Sequence, residues 1–188
     1  MDTVNVQKPG VSLENLKRQI AGARYALLLI LVFTVLNLVL LVFDAGRYFL
    51  FSASVPYYLT FLGLGLDNGF SPLHWNSVGS FTVTGLIISG VILGAYLVFL
   101  LMSTKKPGFL WGALVLFVLD SLGLIFFSFT LYENPSANLM DGFLHLWAIV
   151  ELGKGIRANG ILKKLPPEQP ADLSRIQNIL SGISHEER

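Results

Sequence analysis

Cysteine is missing from this chain, which excludes disulfides, thiolate metal sites and cysteine nucleophiles together. Charge is scarce: Asp, Glu, Lys and Arg make up 13% of the residues, where a soluble domain carries about 25%. The histidines, at 74, 145 and 185, lie too far apart for a local ligand pair. No HExxH or similar pattern offers a metal site, so no metal or other cofactor is expected. No GxSxG surrounds any serine, and the glycines sit within apolar runs rather than after strands, so nucleophile-elbow and phosphate-loop readings fall away. A net charge of +1 gives no reason to expect nucleic acid.

What the chain has instead is apolar length. Its 188 residues are 53% hydrophobic, with a mean hydropathy of +0.64, which points to one membrane domain with short soluble ends. The first apolar run begins near Tyr25 and is too long for a signal core, so it is expected to remain as a span. The expected architecture is all-α: a four-transmembrane-helix bundle with spans at about 25–43, 81–102, 108–132 and 139–160. Residues 1–24 read as a basic amphipathic lead-in, capped at Ser12 and lying along the membrane surface before the chain turns in. Residues 161–188 read as a cytoplasmic tail, in which Leu173, Ile176, Leu180 and Ile183 mark a short amphipathic helix.

The connection 44–80 is the ambiguous stretch. It holds eight aromatic residues, and 48–66 is uncharged but interrupted by Pro56. A fifth span would carry Lys105, Lys106 and the basic residues from Lys154 onward to the outside. With four spans, 12 of the 13 Lys and Arg residues share one side and only Arg47 lies opposite. The positive-inside rule therefore favours four spans, cytoplasmic termini and an outer aromatic segment that is interfacial or re-entrant.

Polar groups inside the spans are the candidate site. Asp120 stands near the middle of an otherwise uncharged run, where a carboxylate costs about 2.5–3.5 kcal/mol and needs a partner, a proton or a job. On a helical wheel Gly112, Leu116, Asp120, Gly123 and Phe127 fall within about 80°, which points Asp120 into the bundle beside two glycines that admit close neighbours. Gly90 and Gly94 form a GxxxG that reads as helix packing within the bundle, with dimerisation as the alternative. Counting rise from the outer edge puts Asp120 about 16 Å and Glu151 about 18 Å deep, with His145 and Asn37 about 9 Å deep. One reading is a protonatable pathway in which Asp120 and Glu151 share a proton and His145 relays it outward. The other is structural: Asp120 pairs with Lys154, or stays protonated and donates to a backbone carbonyl, Glu151 pairs with Arg157 or sits in headgroups, and Asn37 bonds His145 or a carbonyl. The second is favoured.

The stretches LKRQIAGARYALLLILVFTVLNLVLL (16–41), FLFSASVPYYL (49–59) and GIRANGILKKLP (155–166) resemble a group of small, largely uncharacterised integral membrane proteins of Gram-positive-type bacteria. The resemblance covers about half the chain and includes no catalytic motif. It implies a bacterial inner membrane and the four-span layout, and no activity. The functional expectation is a non-enzymatic accessory or scaffolding subunit, with the lipid bilayer and a protein partner or second copy as its contacts. The alternatives are a small oligomeric transporter or proton-linked channel using Asp120, Glu151 and His145, and an intramembrane acid enzyme.

Overall fold

The computed structural model describes residues 13–45, 48–70, 77–131 and 139–164. Among them the regular structure is entirely helical: α1 (Leu13–Val42), α2 (Ser54–Asn68), α3 (Ser80–Lys105), α4 (Leu110–Leu131) and α5 (Leu139–Leu162), with a 3-10 turn at Pro107–Phe109 leading into α4. Three helical segments are long and apolar enough to cross a bilayer: α1, α3, and α4 with its leading turn. The helix α5 has spanning length but carries Asp141, Glu151, Lys154 and Arg157. The expected capping residue Ser12, Arg47, the 133–138 turn and the helix over 172–183 lie outside the described residues.

One element differs from the sequence reading. α1 is one unbroken helix from Leu13, so the stretch before Arg24 is its first three turns and not a separate surface segment. Its apolar face (Leu16, Ile20 and Ala23) is buried in the bundle, because α5 offers small residues there. Gly155 comes so close that a Cβ added to it would meet the Ala23 Cβ at 2.4 Å. The ambiguous stretch 48–66 holds a short helix. Its N-terminal part folds back along α1, and α2 then reverses to run beside α3. At 15 residues α2 is about 22 Å long, shorter than a hydrocarbon core of about 30 Å.

The bundle keeps an apolar core around Leu16, Leu27, Ile30, Leu110, Phe117 and Leu152, but it also buries polar groups and exposes large apolar ones. Thr34, Asn37, Ser54, Thr60, Thr82, Ser89, Asp120, Asp141 and His145 are buried, while Ile87, Val91, Leu119, Leu122, Phe126, Phe143 and Leu146 are exposed. Buried polar groups must then find partners inside the protein, and helix ends pose the largest demand, since each leaves orphan backbone groups. A charged side chain from another part of the chain meets that demand at several ends. Arg24 of α1 donates to the carbonyl oxygens of Ser103 and Thr104 at the C-terminus of α3, where the helix dipole favours a cation.

Asp67, near the end of α2, caps the start of α3. Its Oδ2 accepts from the Thr82 hydroxyl at 2.6 Å and the Thr82 N–H at 2.7 Å, and its Oδ1 from the Phe81 N–H at 3.3 Å. The hydroxyl bond from Thr82, with the backbone N–H bonds behind it, holds the Asp67 carboxyl below its ordinary value, against an opposing contribution from desolvation. A depressed carboxyl contributes stability that is present above its unfolded value of about 3.9 and lost as pH falls through the folded one. The unfolding midpoint of the wild type should therefore hold between about pH 8 and 5 and fall below about pH 4. Asp67→Asn should start lower at neutral pH and lose part of the acid dependence. Identical pH profiles for the two proteins would rule out this cap.

Candidate functional site

The centre of the molecule is the place where α2 begins inside the bundle. A helix start exposes four orphan N–H groups, and here they belong to Ala53, Ser54, Val55 and Pro56. Pro56 has none to satisfy. The Ala53 N–H donates to Thr34 Oγ1 at 2.7 Å, the Ser54 N–H to Asp120 Oδ2 at 2.8 Å, and the Val55 N–H to Asp120 Oδ1 at 2.8 Å. Every donor is accounted for, two of them by one carboxylate. Asp120 is thus the counter-charge of a buried helix N-terminus, where a negative group is most favourable.

The approach to this start is held just as fully. Asn37 reads the backbone of Phe49 in both directions, donating to its carbonyl at 2.7 Å and accepting from its N–H at 2.7 Å. It also donates to Ser52 Oγ at 2.8 Å. Phe51 adopts φ +70, in the left-handed region that bulky residues avoid. Its ring lies 5.1 Å from that of Trp147, and its N–H reaches Asp141 Oδ1 at 3.4 Å, contacts that hold the sharp turn in place. Stacking of Phe33 on Phe49, with centroids 5.7 Å apart, and of Tyr58 against Phe127 at 4.9 Å wedges the segment between α1 and α4.

Two residues of α5 complete the cluster. His145 is stacked on Phe117, with centroids 4.8 Å apart. Its Nε2 lies 3.2 Å from Asp120 Oδ2 and 3.3 Å from Ser54 Oγ, and its Nδ1 lies 2.9 Å from the Asp141 carbonyl oxygen. The Asp141 carboxylate accepts from the Tyr48 hydroxyl at 2.9 Å, and that hydroxyl also lies 3.1 Å from Ser52 Oγ. Polar contacts therefore run Asn37, Ser52, Tyr48, Asp141, His145, Asp120, with the Asp141–His145 step made through the Asp141 backbone carbonyl, its carboxylate lying 3.7 Å from Nδ1. Asp120 and Asp141 are 3% exposed and His145 2%, so this end of the series is buried, while Tyr48 is half-buried. The Tyr96 hydroxyl, also fully buried and within the field of Asp120, has no hydrogen-bond partner among the described residues.

Of the sequence candidates, Asp120, His145 and Asn37 enter this cluster, and Glu151 and Lys154 do not. Lys154 binds Glu151 on its own helix at 2.7 Å, an i,i+3 pair at the bundle surface, so the expected Asp120–Lys154 bridge does not form. Asn37 bonds the Phe49 backbone and Ser52 and has no bond to His145. The depth estimate erred because a rise count starts from assumed helix ends, and two helices need not begin at one height. Gly112 and Gly123 receive neighbours: an added Cβ would meet the Phe99 ring at 2.4 Å and Val55 Cγ2 at 2.3 Å. Gly90 and Gly94 meet nothing within 4 Å, so the GxxxG faces outward instead of packing in the bundle. Among the described residues no group of His, Asp or Glu is placed to hold a metal.

Ser54, Asp141, Tyr48 and Thr34 escaped the sequence reading. Ser-Val-Pro at 54–56 was the legible signal, a helix-start pattern beginning a run too short to span. Ser54 Oγ with His145 superficially offers a nucleophile and a base. The backbone N–H groups beside it, which would have to hold an oxyanion, are already occupied by Asp120. No protein-family model matches this chain, and neither does any curated protein or solved structure.

Proposed function

We propose that this chain is a four-span protein of a bacterial cytoplasmic membrane, with both termini cytoplasmic, acting as a non-enzymatic accessory or scaffolding subunit. α1, α3, α4 and α5 cross the bilayer, and the stretch from Tyr48 through α2 is a re-entrant element entering from the outer side. The observation that carries the functional part is the closure of the polar cluster. Asp120 is spent on the start of α2, and each carboxylate and ring nitrogen around it has a protein partner. A group committed to holding the fold is not free to bind a substrate. What remains for function is the outer surface and the ends of the bundle.

Support for α5 as a span comes from where its charges point. Asp141 is buried, and the residues α5 turns outward over its first three turns include Met140, Phe143, Leu146, Trp147 and Val150. Support for the orientation comes from Arg24 meeting the C-terminus of α3 and Gly155 meeting Ala23 and Leu110. These contacts gather Lys17, Arg18, Lys105, Lys106, Lys154, Arg157, Lys163 and Lys164 at one end, the end expected to stay cytoplasmic.

The absence of cysteine makes labelling free of background. Single cysteines at Lys106 and Lys163 should react with a membrane-impermeant maleimide only in inside-out vesicles, and one at Ser77 only in right-side-out vesicles. Labelling of positions 106 and 163 from opposite sides would sink the four-span layout. For function, proteoliposomes should pass protons no faster than empty ones. That measurement also decides the second reading, which the buried His145–Asp120 contact at 3.2 Å favours: a proton relay in an oligomeric transporter. Flux that falls on His145→Ala in folded protein would establish the relay and remove the scaffold reading.

A further inference from the structure

At the lysine-rich end, the turn between α3 and α4 and the end of α5 enclose a cleft of about 520 Å³ lined by Phe99, Lys105, Lys106, Phe109, Gly112 and Lys163. Three cations from two separate parts of the chain meet there, and among the described residues no carboxylate lines the cleft. Among the described residues their ammonium groups make no ion pair or hydrogen bond. Lys105 ends α3 and Lys106 is its C-cap, where a cation commonly serves the terminal carbonyls, but Arg24 already takes those of Ser103 and Thr104. The lysines are thus left over from the fold's own needs. The floor is apolar: the Phe99 ring lies directly against Gly112, close enough that a Cβ there would collide with it. A small aqueous anion has no use for such a floor, whereas a phosphate carrying a hydrocarbon tail uses both parts.

We propose that this cleft binds an anionic phospholipid, its phosphate held by Lys105, Lys106 and Lys163 and its acyl chain laid against Phe99 and Gly112. The inference rests on the membrane reading above. It gives the scaffold a lipid selectivity: the α3–α4 turn and the end of α5 are bridged by one headgroup, so the arrangement of that end depends on which lipid is present.

The test uses the full chain in mixed micelles holding equal amounts of phosphatidylglycerol and phosphatidylcholine, with retained lipid identified by native mass spectrometry. The expected result is retention of phosphatidylglycerol over phosphatidylcholine by about tenfold, lost in K105Q/K106Q/K163Q. The control K17Q/R18Q/K154Q removes equal charge from the same end and should keep the preference. Equal loss in both triple variants means diffuse surface attraction and overturns the site. Displacement of the lipid by inorganic phosphate at constant ionic strength overturns the lipid in favour of a small anion. Circular dichroism of both triples checks that these exposed changes leave the helices formed. Carbonate washing of membranes tests the underlying reading separately: protein that stays in the membrane without a lipid preference overturns the cleft alone, and protein released by carbonate overturns both.

Discussion

Asp120→Asn is expected to lower the unfolding midpoint of the detergent-purified protein by about 5–15 °C. Both carboxylate oxygens accept a backbone N–H at 2.8 Å, one from Ser54 and one from Val55. An amide keeps one acceptor and turns an NH₂ group toward the other N–H, leaving a buried donor facing a donor. The lost charge-assisted bond and the orphaned N–H together cost about 2–4 kcal/mol. Asp120→Ala should cost at least as much. Glu151→Gln, which breaks a partly exposed pair, should change stability by less than about 1 kcal/mol. A double-mutant cycle should find coupling between Asp120 and His145, which lie 3.2 Å apart, and none between Asp120 and Lys154, which is bonded to Glu151 instead. Wild-type stability in Asp120→Asn would mean that the carboxylate is not needed as an acceptor, and the assignment of Asp120 to the start of α2 would fail.

The second large effect concerns glycines that differ only in what faces them. A Cβ added to Gly63 would stand 2.6 Å from the Phe81 carbonyl oxygen and 2.9 Å from Thr82 Cα, and one added to Gly85 would stand 2.7 Å from the Leu59 oxygen. These neighbours are backbone, so α2 and α3 would have to part, and Ser89 would be drawn away from the Pro56 carbonyl it bonds at 2.8 Å. Gly63→Ala and Gly85→Ala should each destabilise by about 1–3 kcal/mol. Gly90→Ala and Gly94→Ala meet open space and relieve the helix cost of glycine, so each should be neutral or stabilising by up to about 1 kcal/mol. Thermal unfolding of the four variants in one detergent decides the matter. Destabilisation at 90 and 94 comparable to that at 63 and 85 would show that the GxxxG face is covered by a partner in solution, such as a second copy.

The GxxxG shows how far spacing can be read. Two glycines four apart share a helix face, and that much follows from the 3.6-residue turn. Which face meets another helix depends on where α2 docks, and α2 sits on the side of Gly85 and Ser89. The amphipathic start of α1 is similar: its apolar stripe was legible from Leu13, Leu16 and Ile20, but a stripe does not say whether it meets lipid or α5. Asp141 lies in the first turn of α5, and nothing in the local sequence marks it as buried. It is buried because the segment that follows α1 folds back and brings Tyr48 and Phe51 onto it.

By itself the sequence determined an apolar, cysteine-free helical chain, the approximate positions of the helices long and apolar enough to cross a membrane, and the need of Asp120 for a partner. Those features follow from residue type and local periodicity, which a linear string carries in full. Only the tertiary structure decided what the partner is. Asp120 is held by two backbone N–H groups, His145 and the start of a helix rather than by Lys154. A side chain announces its charge in the sequence, but an orphan N–H belongs to any residue that happens to begin a helix. Ser54 and Val55 acquire that need only because the chain turns back at Phe51 and starts α2 inside the bundle.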